Sequence, residues 1–124
     1  MKYLGIDYGR KKIGLAVSDG ILSEPYKVIN VSSFDQAIKK VLQVLQVLQV
    51  EQVIVGVAEN KIAKEQKEFA KKLDAEIYDE TLTSQDAIRL SIQGGIKRKK
   101  RKEMEDAYAA AIMLQNYLDS RDKI

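Results

Sequence analysis

The chain has 124 residues, 21 basic against 18 acidic, a formal charge of +3, and neither cysteine nor histidine. Those two absences exclude disulfides, thiolate metal centres, Ser-His-Asp triads and histidine-ligated zinc, so hydrolytic chemistry must rest on carboxylates, lysine, tyrosine or a hard cation held by oxygen. One domain over 1–124 is expected; no apolar run would span a bilayer and the first residues enter a strand rather than a signal peptide, which points to a cytoplasmic protein without a membrane partner.

Residues 2–8 are predicted to form a strand that delivers Asp7 near its end. A turn at Gly9 leads into an antiparallel partner over 11–18, and Asp19-Gly20 marks another turn. A third strand is predicted over 26–31, with Pro25 just ahead of it, where a missing N–H does least harm. Ser33-Phe34-Asp35-Gln36 has the spacing of a capping box. The helix it opens repeats Val41-Leu42-Gln43 three times and closes on Val50. A three-residue period drifts against 3.6 residues per turn, so a helix buried on much of its surface, with no clean polar face, is expected.

Val53-Ile54-Val55-Gly56-Val57 reads as a central strand covered on both faces. Residues 61–73 form an amphipathic pattern with Ile62, Phe69, Ala70 and Leu73 on the apolar side. Glu76-Ile77-Tyr78 is a short strand ending at Asp79-Glu80. Thr83-Ser84-Gln85-Asp86 opens a helix that Gly94-Gly95 closes, and 103–119 is an alanine-rich last helix. The order β-β-β-α-β-α-β-α-α predicts an α/β fold: an antiparallel meander of the first three strands, then crossovers, in one mixed five-stranded sheet with helices on both faces.

The basicity is local. Lys97-Arg98-Lys99-Lys100-Arg101-Lys102 holds six positive charges in a row; without it, 15 bases face 18 acids. Such a block, expected as a solvated segment ahead of the last helix, suits polyanions. Arg10, Lys11 and Lys12, at the tip of the first hairpin, extend the same surface beside Asp7. Contacts of this type hold phosphates without reading sequence, and each neutralised phosphate steepens the salt dependence by about 0.9 log units per log unit of salt on duplex DNA. Tyr8 and Tyr78 can stack on bases, although half-buried strand residues are the more ordinary reading of both.

Acids reach one edge of this predicted sheet from three places. Asp7 leaves the first strand, Asp79-Glu80 leave the last, and Asp106 lies in the first turns of the alanine-rich helix. Singly, a turn, solvation and the helix macrodipole account for each. Together, carboxylates with no base between them repel and call for divalent cations or raised pKa values. Oxygen-only ligands suit Mg2+ or Mn2+, and two such ions roughly 3.5–4 Å apart can clamp the attacking and leaving oxygens of an in-line phosphoryl displacement. That is a route to phosphodiester hydrolysis without histidine.

Four blocks resemble the YqgF family, ribonuclease-H-like proteins described as Holliday junction resolvases and as nucleases for the 5′ end of precursor 16S ribosomal RNA. They are Gly5-Ile6-Asp7-Tyr8-Gly9 with Ile13-Gly14-Leu15-Ala16; residues 53–60; Asp79-Glu80-Thr81-Leu82-Thr83-Ser84; and the basic run leading to Asp106-Ala107-Tyr108-Ala109-Ala110. The resemblance implies a ribonuclease-H-like fold and a metal-dependent nuclease with Asp7, Glu80 and Asp106 as catalytic, metal-holding acids. Structured RNA or branched DNA is the implied partner, and a symmetric junction would call for a homodimer. Where the family usually has Gly-Leu-Pro-Leu-Asn, this chain has Gly56-Val57-Ala58-Glu59-Asn60. Glu59 thereby falls near the place where RuvC-type resolvases carry an acid, so it is a fourth candidate metal ligand and equally a helix-capping or solvent-facing residue.

Two rivals stand beside that reading. Asp7 followed by Gly9 at a first hairpin also fits the phosphate loop of actin-like and sugar-kinase ATP-binding domains. Those close two lobes over the nucleotide, however, and this chain has the length of one. The other rival is a catalytically silent nucleic-acid-binding module, which differs from the nuclease in whether the acids meet.

Overall fold

The computed structural model describes residues 1–58, 61–79 and 98–122, with side chains of the last stretch from 103 to 120. Three strands form the expected meander: β1 (Tyr3–Tyr8), β2 (Lys12–Ser18) and β3 (Ser23–Asn30). On the other side of β1, β4 (Gln52–Val57) and β5 (Glu76–Asp79) add in parallel, giving one five-stranded sheet in the order β3-β2-β1-β4-β5. Helices α1 (Phe34–Leu48) and α2 (Ala63–Lys72) belong to one face, and α3 (Arg98–Asp122) packs on the other. The helix predicted after Thr83 lies outside the described residues.

Three local expectations need correcting. β3 starts earlier than predicted and includes Pro25, which pairs with Ala16 where the register slips by one residue at Tyr26. β3 is an edge strand, and an edge beside a bulge is where proline costs a sheet least. In α1 the threefold repeat does not bury the helix all round. Ala37, Val41 and Val44 face the core with Ile38, Leu45 and Leu48 beside them, while Leu42 and Val47 stay 47% and 78% exposed. The 3.6-residue period selects one stripe from the repeat and leaves two apolar residues outside it.

The third correction concerns the basic block. Its residues 98–102 are the first turns of α3, not a segment ahead of it. Lys, Arg, Glu, Met and Ala are all good helix formers, and no Gly or Pro interrupts them before the C-terminus. Asp106 therefore sits in the third turn of the helix rather than the first. Among the described residues, no helix is long and apolar enough to cross a membrane.

The capping box forms in a shifted version. The Gln36 N–H donates to Ser33 Oγ at 3.1 Å, but the Gln36 carboxamide accepts from the Ser32 N–H at 2.6 Å. Gln49, left-handed at φ 54°, ends α1.

Candidate active site

Strand alternation divides β1 between the two faces. Leu4, Ile6 and Tyr8 enter the core beneath α1 and α2, whereas Tyr3 joins the cluster beneath α3 and Gly5 meets Leu114 of that helix. Asp7 has the parity of Tyr3 and Gly5, so it stands on the α3 face at the carboxyl end of β1. Its neighbours across the sheet are Gly14 on β2 and Gly56 on β4. Both of its paired neighbours in the sheet are therefore residues without a side chain.

One of those spaces is filled by the backbone of α3. A Cβ built on Gly14 would overlap the Asp106 carbonyl and crowd the Ala107 N–H. Further along, a Cβ on Gly5 would come within 2.9 Å of Leu114 Cβ and 3.2 Å of Ala110 O. Glycine is required at these two positions because the helix rests directly on the strands. The contact order, Gly14 at Asp106 and Gly5 at Leu114, runs α3 with its N-terminal part over the carboxyl edge of β1. Gly14, the β2 partner of Asp7, thus carries the backbone of Asp106, a residue far away in the chain.

Asp106 is half-buried. Burial pushes its carboxyl above the usual range, the Lys12 ammonium pulls it partly back, and Glu105 raises it further. A carboxylate that is costly to ionise next to a second acid is a site that gains from bound positive charge. The donor set fits a hard divalent cation, since only oxygen is on offer. Among the described residues, however, no three acidic groups gather as a metal cluster. Glu80 and Glu59 lie outside the described residues, as does Lys97.

Asp79 belongs elsewhere. It pairs with Val57 and lines a groove with Ala58, Ala63 and Lys67, on the α2 side of the sheet and away from Asp106.

The basic candidates separate. Lys11 and Lys12 are exposed, and Lys12 is close enough to act on Asp106. Arg10 donates its Nε to Glu65 of α2 at 2.9 Å, which raises its own pKa. Residues 98–102 lie one to two turns before Asp106 on α3, within about 12 Å along the axis.

Tyr8 is not a base-stacking residue. It is buried, stacked on Phe69 with centroids 4.5 Å apart and edge-on to Phe34. Burial, helped by its hydrogen bond to Glu65, pushes its hydroxyl up to about 12. Tyr78 is half-buried on the α3 face, edge-on to Tyr117.

Sequence reasoning missed Gly14, Gly56 and Gln66. The last is a polar residue on the apolar stripe of α2, between Ile62 and Phe69, and its position on that stripe was the available signal.

Solved structures that superimpose on this architecture include junction resolvases of the ribonuclease-H-like class. A Thermus thermophilus RuvC in complex with a Holliday junction substrate superimposes with a TM-score of 0.59 at 20% identity, covering 99% of this chain and 96% of that one. A Fowlpox virus resolvase with substrate Holliday junction DNA gives 0.64 at 13% identity, covering 99% of this chain and all of that one (100%). At such identities the likeness establishes the fold. The family follows from sequence: residues 1–120 match the model described as "RuvX: Holliday junction resolvase", and the chain belongs to that family. Relatives named "Putative pre-16S rRNA nuclease" match over nearly the whole chain. One from Carboxydothermus hydrogenoformans is 33% identical, covering 99% of both chains. Another, from Thermoanaerobacter pseudethanolicus, is 34% identical, covering 98% of each. Family and relatives make the protein a nuclease, a hydrolase acting on nucleic acid, and favour that reading over an ATP-binding domain.

Proposed function

We propose that the protein hydrolyses phosphodiester bonds of structured nucleic acid at a divalent-metal site held by Asp7, Asp106 and Glu80, with Glu59 as a further ligand and residues 1–124 acting as one domain. Mg2+ or Mn2+ is the cation that suits these donors. The observation that carries the reading is Asp106 of α3 seated on Gly14, the β2 partner of Asp7. In addition, β5 runs parallel to β4 and ends at Asp79 on the same carboxyl edge, and the next residue in sequence is Glu80.

When bound, the metal supplies positive charge for the phosphate oxygens and activates water. The chain's own groups do the rest. Asp7 and Asp106 provide oxygen donors from two elements held rigidly against each other. Lys12, beside Asp106, and Lys11 hold phosphate at the site, and Arg10 extends the contact from its pairing with Glu65. Lys97 and residues 98–102 receive the flanking backbone. Cations in the first turn of a helix oppose its macrodipole, so a phosphate bound there relieves a cost that α3 otherwise carries.

The 5′ end of precursor 16S rRNA is the substrate that the full-length relatives favour, in the cytoplasm where such RNA is processed. A four-way DNA junction is the second reading, favoured by the family's description, and it would bring two copies of the chain together.

The deciding experiment compares a 16S precursor transcript with a four-way junction, each with Mg2+ or Mn2+, for wild type and Asp7→Asn. Wild type should cut one of them. The variant should lose about a hundred- to a thousandfold in rate, the scale of removing a group that stabilises transition-state charge, while binding as tightly or more so. A wild type that binds both and cuts neither would replace the nuclease by the silent module.

A further inference from the structure

Gln66 is 2% exposed, on the stripe of α2 that faces the sheet. Its carboxamide lies between the carboxyl ends of two strands. The Ala58 N–H donates to Gln66 Oε1 at 2.9 Å, and Gln66 Nε2 donates to the Tyr8 carbonyl at 3.1 Å. The orientation of the amide is unambiguous, because a backbone N–H only donates and a backbone C=O only accepts.

The register of β1 and β4 gives these bonds their meaning. The pairs run from Tyr3↔Gln52 to Asp7↔Gly56. One further step would oppose Tyr8 to Val57, and a parallel ladder would then join the Tyr8 carbonyl directly to the Ala58 N–H. The Gln66 side chain takes the place of that bond. It parts the strands by the width of a carboxamide, one residue beyond Asp7. This is also where the sheet's connections diverge, β1 leading to β2 on one side and β4 to β5 on the other. In open α/β sheets, ligands bind outside the strand ends at such a point.

We propose that Gln66 is a positioning residue of the nuclease site. It substitutes for a ladder bond and so sets the separation between Asp7 and the chain leaving β4 after Ala58, whose next residue in sequence is Glu59. Through that separation it sets the affinity for metal. The inference rests on the nuclease reading above. An apolar residue here either strands two buried backbone groups or lets the strands close, and both outcomes move the acids.

The test uses the intact protein with Gln66→Met, similar in size and without the amide, and with Phe69→Leu as a control in the same core. Gln66→Asn, too short to span both groups, is a milder second variant. Amide exchange at Ala58, Mn2+ affinity by calorimetry and the thermal midpoint are measured for each. Ala58 should exchange slowly in wild type and lose that protection in Gln66→Met. Mn2+ affinity should fall about tenfold in Gln66→Met, the usual cost of losing a group that supports metal ligands, and by less in Gln66→Asn. Phe69→Leu should lower the midpoint and leave Mn2+ affinity where it was. Unchanged Ala58 exchange and Mn2+ affinity in Gln66→Met would overturn the proposal, as would an equal Mn2+ loss in Phe69→Leu or a wild type with no Mn2+ affinity. Exchange and metal binding need no substrate, so they decide the role of Gln66 even if no nucleic acid is cut.

Discussion

On one face of the sheet, Leu4, Ile6, Ile13 and Leu15 meet Phe69, Val41 and Val44, with Tyr8 and Phe34 completing an aromatic cluster. On the other face, Gly5, Gly14 and Ala16 meet Ala107, Ala110 and Ala111. The first face has bulky side chains between the sheet and α1 and α2. The second has glycine or alanine on the strands where α3 comes closest, so the helix lies against them there, while Tyr3, Ile54, Met113, Leu114 and Tyr117 fill the rest of that face. Small residues forgo burial energy, since each buried methylene contributes about 0.8 kcal/mol. In return, the helix bearing Asp106 reaches the strand pair bearing Asp7. Each face buries its own apolar cluster, and the one with glycines is where the backbone of Asp106 reaches the β2 partner of Asp7.

Substitutions that thicken the glycine-bearing face test this division hardest. Gly14→Ala places a methyl against the Asp106 carbonyl, where neither backbone can yield without moving α3. A loss of about 1–3 kcal/mol is expected, measured by urea unfolding, together with loss of cleavage beyond what stability explains. Phe69→Leu on the bulky face should cost a similar 1–2 kcal/mol, roughly, and leave cleavage per folded molecule intact. Equal retention of activity in the two variants would erase the distinction.

A smaller effect sharpens the account of Asp106. Its folded pKa is raised, chiefly by burial. The folded state therefore holds this proton up to a higher pH than the unfolded chain does. Its penalty is absent below the unfolded value near 3.9, grows as pH rises toward the folded value, and is full above it. Asp106→Asn in EDTA should accordingly be slightly more stable than wild type at pH 7, with the gain vanishing near pH 3.5. Thermal melts across that range read it, and a variant less stable at pH 7 would show that the carboxylate is structurally needed.

The smallest effect is expected at Arg10. Its pair with Glu65 is exposed on the Arg side, so Arg10→Ala should change stability by less than about 1 kcal/mol. Its larger consequence should be a shallower salt dependence of nucleic-acid binding, by about one unit of slope if Arg10 contacts one phosphate. An unchanged slope would leave Arg10 as a tie to α2 alone.

Much of this was legible in the sequence because it is local. The strands β1, β2 and β4 follow from short apolar runs, α2 from a 3.6-residue period, and the candidate acids from their places at the ends of elements. The reading of α1 failed because a repeat of three apolar-rich residues does not say which stripe the core will choose. The reading of β3 failed because Pro25 is tolerable only on an edge, and edge position is a property of the sheet. The basic block joins the helix because Lys and Arg are good helix formers, a propensity that a run of like charge masks in the sequence.

The amino-acid order alone determined that only oxygen donors were available, that the charge was concentrated in one block, and that strands would carry acids toward a common edge. Pairing register and the packing of α3 decided which acids share a side. They set the Asp106 backbone on Gly14, the β2 partner of Asp7, turned Asp79 to the opposite face, and put a glutamine amide where a ladder bond would have been. These outcomes depend on contacts between residues up to about a hundred positions apart, and no local pattern encodes them.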